Sequence, residues 1–114
     1  MSSAFAPFDV VVVPFPHADR LVEKRRPAVV VSAKKLISQH GLVWLAMITS
    51  ASNRRWADDI TVSDLGVTGL PAPSLIRPAK VTTADSARVI RRIGKLPVAD
   101  TKALAKALQR LMAS

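Results

Sequence analysis

Short apolar bursts alternate with polar stretches along most of the chain. Phe8-Asp9-Val10-Val11-Val12-Val13 is apolar and β-branched and is closed by Pro14 and Pro16, which predicts a short buried strand. The stretch from His17 to Arg26 carries six charged residues and reads as a solvated loop. Pro27 then opens Ala28-Val29-Val30-Val31-Ser32, a second strand; lacking a backbone donor, the proline is expected at the strand's first residue or on an edge. Ala33 to Ser38 fits a short helical turn. His40-Gly41 marks a turn before Leu42 to Thr49, the most apolar segment, expected as a central strand covered on both faces. Ser50 to Asp59 is a polar connector, and Ile60-Thr61-Val62 is a weak fourth strand. Gly66, Gly69, Pro71 and Pro73 wind toward a fifth strand from Ser74 to Val81, in which Pro78 signals an edge or a bulge. Val89 to Leu96 adds a last short strand.

The period then changes. From Val98 to Met112, Leu104, Leu108, Leu111 and Met112 recur at helical spacing, while Lys102, Lys106 and Arg110 line another face, as in an amphipathic helix. Asp100 in the first turn and Arg110 in the last suit the two ends of its dipole. Several strands and one closing helix predict a mainly β fold, a small barrel or sheet with a C-terminal helix packed on it. At 114 residues with no linker or repeat, positions 1–114 read as a single domain. A core this small favours tight packing or extension across a dimer interface.

Charge narrows the partners. Lys plus Arg number 17 against 8 Asp plus Glu, a formal charge of +9, which attracts polyanions and puts nucleic acid or an acidic protein first. Cysteine is absent, which removes disulfides, thiolate nucleophiles and cysteine zinc sites, and two histidines are too few for a multi-histidine metal centre. No metal and no cofactor are therefore expected. The longest apolar run, Leu42 to Ile48, is too short for a membrane span, and no secretion signal is apparent at the start, so the cytoplasm is the expected location.

Two Arg-Pro pairs stand out, Arg26-Pro27 and Arg77-Pro78. The residue before proline is pushed toward extended geometry, so each guanidinium fork is presented from a defined place and suits phosphate. Thr49 and Ser50 sit where the most apolar strand meets water, a setting for hydroxyls that orient a substrate. Each has a plainer alternative. Arg26 as a surface arginine would pair with Glu23 or Asp19, and Thr49 would bond its own backbone. Trp56, between Arg54-Arg55 and the fourth strand, is equally a base-stacking platform or a core aromatic. Lys80 and Arg77 would be solvated strand positions. His17 and His40 would act as an acid–base pair only if a cleft brought them together.

The ordered blocks Asp9-Val10-Val11-Val12-Val13-Pro14-Phe15-Pro16, Lys24-Arg25-Arg26-Pro27-Ala28-Val29-Val30-Val31-Ser32, Ala46-Met47-Ile48-Thr49-Ser50 and Ser74-Leu75-Ile76-Arg77-Pro78-Ala79-Lys80 closely resemble the PemK/MazF family of toxin–antitoxin ribonucleases. Arg92-Ile93-Gly94-Lys95-Leu96 and the helix extend the likeness over nearly the whole chain. The resemblance implies an SH3-like small barrel of the CcdB/MazF kind, a homodimer, and metal-independent, sequence-specific cleavage of single-stranded RNA to 2′,3′-cyclic phosphate and 5′-hydroxyl ends. It implies Arg26 and Thr49, with Ser50 beside it, as catalytic positions and Lys80 as a basic residue that assists catalysis or contacts RNA. It also implies a cognate antitoxin that folds over the groove.

Where some members have an acidic residue beyond the lysine, Thr82 and Thr83 stand here; Glu23 is a candidate base by placement alone. Trp56 with Arg54, Arg55 and Arg77 would then grip single-stranded RNA. Two other functions fit the fold: a CcdB-like toxin that binds gyrase without catalysis, and a basic nucleic-acid-binding module.

Overall fold

In a computed structural model, residues 5–16 and 23–113 are described, without the side chains of Phe15, Pro16 and Glu23. Six strands form one curled antiparallel sheet: β1 (Asp9–Pro16), β2 (Glu23–Val30), β3 (Leu42–Ser50), β4 (Ile60–Thr61), β5 (Ser74–Asp85) and β6 (Arg91–Lys95), in the order β4-β5-β3-β2-β1-β6. Helix α1 (Lys34–His40) joins β2 to β3, α2 (Leu65–Thr68) lies between β4 and β5, and α3 (Val98–Leu111) closes the described chain.

Strand alternation gives the sheet two apolar faces. Val10, Val29, Ala46, Ile48 and Ile76 point to one cluster, completed by Leu104 of α3. Val11, Val13, Ala28, Val30, Val43, Leu45 and Met47 form a second, covered by Phe5 and by Ile37 of α1. Val10, Val29, Leu45, Ile76 and Leu104 have no exposure, so each contributes roughly 1.5–3 kcal/mol of transfer free energy. Of the expected apolar stripe of α3, Leu104 and Leu108 pack on the sheet, whereas Leu111 and Met112 remain exposed.

The prolines behave differently from expectation. Pro14 and Pro16 do not close β1; they continue it, paired with Arg25 and Glu23. The Val12 carbonyl accepts from Ile90 N–H on the β6 side, so by alternation Pro14 and Pro16 turn their missing donors to that side. The β6 pairing ends at Val12, so no ladder bond is lost there. Pro27 likewise lies in mid-strand, not at the start of β2. Lys24, Arg25 and Arg26 thus belong to a strand and not to the loop expected before it, and Glu23 opens that strand. His17, Asp19 and Arg20 lie outside the described residues.

Pro78 does mark a bulge. Met47 pairs with Arg77, but the next β3 residue, Ala46, pairs with Val81, so Pro78, Ala79 and Lys80 are extra on β5. Beyond the bulge β5 runs on to Asp85, further than its apolar run suggests. The β3 strand is not fully covered: Trp44 is 47% exposed beside Pro78, Ala79 and Val81.

Two glycines allow a close approach near the site. Gly69 ends α2 at φ 74°, and a Cβ there would stand 2.2 Å from the Ile93 carbonyl oxygen. A Cβ on Gly94 would meet the Val67 carbonyl oxygen at 2.4 Å. Helix α2 therefore sits directly on β6, and the Gly69–Pro73 segment becomes one wall of the cleft described next.

Candidate functional site

The β2–β3 ladder is short: only Ala28, Val29 and Val30 pair, with Met47, Ala46 and Leu45. Past Ala28 and Met47 the two strands are no longer paired, and a cleft of about 630 Å³ opens beside them. Continuing the register by two residues sets Arg26 opposite Thr49, on the face of the sheet shared with Ala28 and Met47. Both residues line the cleft, as do Ser50, Arg25, Arg91 and the Gly69–Pro73 segment. A guanidinium and a hydroxyl from segments distant in sequence thus reach one cavity.

Polar groups around Thr49 fix its position. Its Oγ1 accepts a hydrogen bond from Asn53 Nδ2 at 2.5 Å, so it keeps its own proton to donate outward. Ser50 Oγ lies 2.8 Å from Ser52 Oγ and accepts from the Ser52 backbone N–H, which shapes the turn as β3 ends. No carboxylate lines the cleft among the described residues, while Arg25, Arg26 and Arg91 do. The cavity is therefore strongly electropositive, as a polyanion site requires. Glu23 begins β2 three residues before Arg26, and its side chain lies outside the described residues.

The polar connector is held by a buried ion pair. Arg77 is 8% exposed, and its Nη2 donates to Asp59 Oδ2 at 2.8 Å and to the Arg54 carbonyl oxygen at 2.8 Å, while Nε also faces the carboxylate. Its guanidinium carbon lies 3.9 Å from the centre of the Trp56 ring. Asp59 Oδ2 also accepts the Trp56 backbone N–H. Arg55 donates to Thr61 Oγ1 and to the Asp59 carbonyl.

This corrects the view of Arg77 as an RNA contact or a solvated strand position: its donors are used inside the protein. Arg55 is exposed but likewise committed. Trp56 is neither free nor core; one face stacks on Arg77, and 43% of the residue is exposed. Arg54 is exposed, and only its carbonyl has a role in the cluster. Lys80 is exposed in the β5 bulge and does not line the cleft. His40 ends α1, away from the cleft-lining residues, and His17 lies outside the described residues.

Burial alone would raise the pKa of Asp59. The Arg77 hydrogen bond, the Trp56 N–H and the charges of Arg77 and Arg55 outweigh it and hold the carboxyl below its ordinary value. A carboxyl with a lowered folded pKa contributes stability that is present above its unfolded pKa, about 3.9, and is lost as pH falls through the lower folded value. Denaturation midpoints followed from pH 6 down to pH 2 should therefore drop below about pH 4, and Asp59→Asn should reduce that acid-dependent drop.

Arg25 and Arg91 did not stand out in the sequence. Arg25 looked like one of several loop charges, and Arg91 like an ordinary basic residue near the end of the chain. Their shared cavity follows from register: Val12 of β1 pairs with Pro27 on one side and Arg91 on the other.

The sequence matches the PemK-like, MazF-like toxins of type II toxin–antitoxin systems over residues 6–112. Among curated proteins none matches it. In structure it is similar to a MazE-MazF complex from Deinococcus radiodurans, with a TM-score of 0.76 at 17% identity over 95% of each chain. The Mycobacterium tuberculosis toxin MazF-mt6 superposes with a TM-score of 0.71 at 22% identity, over 90% of this chain and 93% of that one. An endoribonuclease in complex with its cognate antitoxin, from a mycobacterial species, gives 0.72 at 13% identity over 96% and 93%.

Proposed function

Because the chain belongs to the PemK-like, MazF-like toxin family of type II toxin–antitoxin systems, we propose that it is a metal-independent endoribonuclease that cuts single-stranded RNA at specific sequences. The observation that carries this proposal is the meeting of Arg26 and Thr49 in one cleft lined by three arginines and, among the described residues, by no carboxylate. A mycobacterial protein described as an endoribonuclease has the same fold.

The chemistry follows from charge. The ribose 2′-oxygen attacks the adjacent phosphorus and loses its proton; the bond from phosphorus to the 5′-oxygen breaks, and that oxygen takes up a proton. The products are a 2′,3′-cyclic phosphate and a 5′-hydroxyl. Negative charge builds on the non-bridging oxygens on the way. Arg26 stabilises that charge with a planar pair of donors, and the Thr49 hydroxyl, held by Asn53, donates to the same phosphate and orients it. Ser50, at the mouth of the cleft, supports this orientation. Glu23 is the proposed acceptor of the 2′-hydroxyl proton, from its position three residues before Arg26 on β2. Trp56, backed by Arg77, stacks a base of the bound strand, with Arg54 and Lys80 as outlying phosphate contacts.

The working form proposed is a cytoplasmic homodimer, neutralised by an acidic antitoxin segment that covers the cleft. MazE-MazF complexes among its structural neighbours support this partner. The reaction is tested by incubating purified protein with RNA in excess chelator and analysing the ends. Early products should carry 2′,3′-cyclic phosphate and 5′-hydroxyl ends. Intact RNA, or 3′-monophosphate ends with no cyclic precursor, overturns the proposal. Binding that weakens with salt but yields no product at any salt would mark a binding module instead.

A further inference from the structure

Of the nine arginines among the described residues, seven fall into two contrasting groups. Arg55, Arg77, Arg92 and Arg110 each engage a protein partner: Thr61 and the Asp59 carbonyl, the Asp59 carboxylate, Asp9 and Asp58 respectively. Arg25, Arg26 and Arg91 line the cleft, and no described residue hydrogen-bonds or ion-pairs with their side chains. Arg25 and Arg91 are exposed.

Register separates these three further. Val12 pairs with Pro27 and with Arg91, and Arg25 lies two residues from Pro27 along β2. By strand alternation Arg25 and Arg91 stand on one face of the sheet, on either side of β1. Arg26 pairs with Val13 and turns to the other side of β2, toward Thr49, yet it lines the same cleft, which opens where β2 and β3 part. Arg25 pairs with Pro14 and Arg91 with Val12, so the two are about 10 Å apart across the strands and about 7 Å along them, within reach of two long side chains converging on one anion. Two like charges facing one cavity, with no carboxylate lining it among the described residues, repel, and a bound anion relieves that repulsion.

We propose that Arg25 and Arg91 form a second phosphate subsite, which holds the phosphate next to the one gripped by Arg26 and Thr49, so that the cleft takes RNA by two consecutive phosphates. This rests on the ribonuclease function proposed above for Arg26 and Thr49. The second subsite sets the position of the strand and leaves the reacting phosphate to the first. Arg91→Gln therefore raises KM severalfold with little change in kcat, and it lowers the salt dependence of binding by roughly the 0.7 log units per log salt expected for one phosphate contact on a single strand.

Calorimetry with adenosine, guanosine, cytidine and uridine 3′,5′-bisphosphates, each against its 3′-monophosphate, tests the subsite without requiring catalysis. The wild-type protein should bind at least one bisphosphate ten-fold or more tightly than its monophosphate. Arg91→Gln should lose that advantage while binding the monophosphate as before, and Arg91→Lys should restore part of it. A bisphosphate advantage that survives Arg91→Gln, or that is absent from the wild type for all four nucleosides, overturns the subsite. The two proposals fail separately. If the wild type cleaves RNA but shows no bisphosphate advantage, the subsite alone falls; if the advantage holds but RNA stays intact, the ribonuclease function falls.

Discussion

Arg26→Ala is expected to slow RNA cleavage by about 10²- to 10³-fold or more, the usual loss when one preorganised donor to a developing oxyanion is removed. Single-turnover rates on an end-labelled RNA measure it. The fold should survive, because no described residue hydrogen-bonds or ion-pairs with the Arg26 side chain, so circular dichroism and the melting transition should match the wild type. Thr49→Ala should be milder, since it removes one orienting hydrogen bond and leaves the charge in place. Full cleavage by Arg26→Ala would show that the charge stabilisation lies elsewhere, with Arg25 and Arg91 the next groups to examine.

The largest expected effect on stability lies away from the cleft. The Asp59 side chain has no exposure and that of Arg77 only 10%, and they meet at 2.8 Å. Removing one partner leaves the other charge buried and unpaired, so Asp59→Ala or Arg77→Ala should each cost about 3–5 kcal/mol. For a domain whose total stability is about 5–15 kcal/mol, that is a large share of the whole, and at the low end of that range it unfolds much of the population. Replacing both with alanine should cost less than the two single losses summed, because no charge is then stranded. Urea denaturation of the four proteins closes this cycle. Additive losses would mean that the pair contributes through independent packing.

These two arginines mark how far the sequence could be read. Both precede a proline and look alike as text, yet one faces a cleft and the other is buried. The partner that buries Arg77 lies 18 residues upstream in a polar connector, a separation that no local pattern encodes. Arginine is also rarely buried unless paired, so exposure was the natural expectation. The strands, the central position of β3 and the amphipathic α3 were legible because burial imposes a period on the sequence.

Proline misled where it usually stops a strand. Pro14 and Pro16 cost no ladder bond because β6 does not extend alongside them, and that depends on a strand some 75 residues later. The expectation that Arg26 and Thr49 act together came from resemblance to a family; in the structure both line one cleft, beyond the last paired residues of β2 and β3. Arg25 and Arg91 became visible only once β1 was seen to lie between their strands.

The three extra residues at Pro78–Lys80 also set the phase of everything that follows them on β5. One step along β3, from Met47 to Ala46, is matched by four steps on β5, from Arg77 to Val81, so inward and outward positions swap parity across the bulge. Ile76 thereby packs into one cluster and Ala84 into the other, although both are even-numbered. Evolution can lengthen or shorten this segment by two residues and keep the pattern, whereas a change of one would turn Ala84 to water and Thr83 inward. Length variation here should therefore come in even steps.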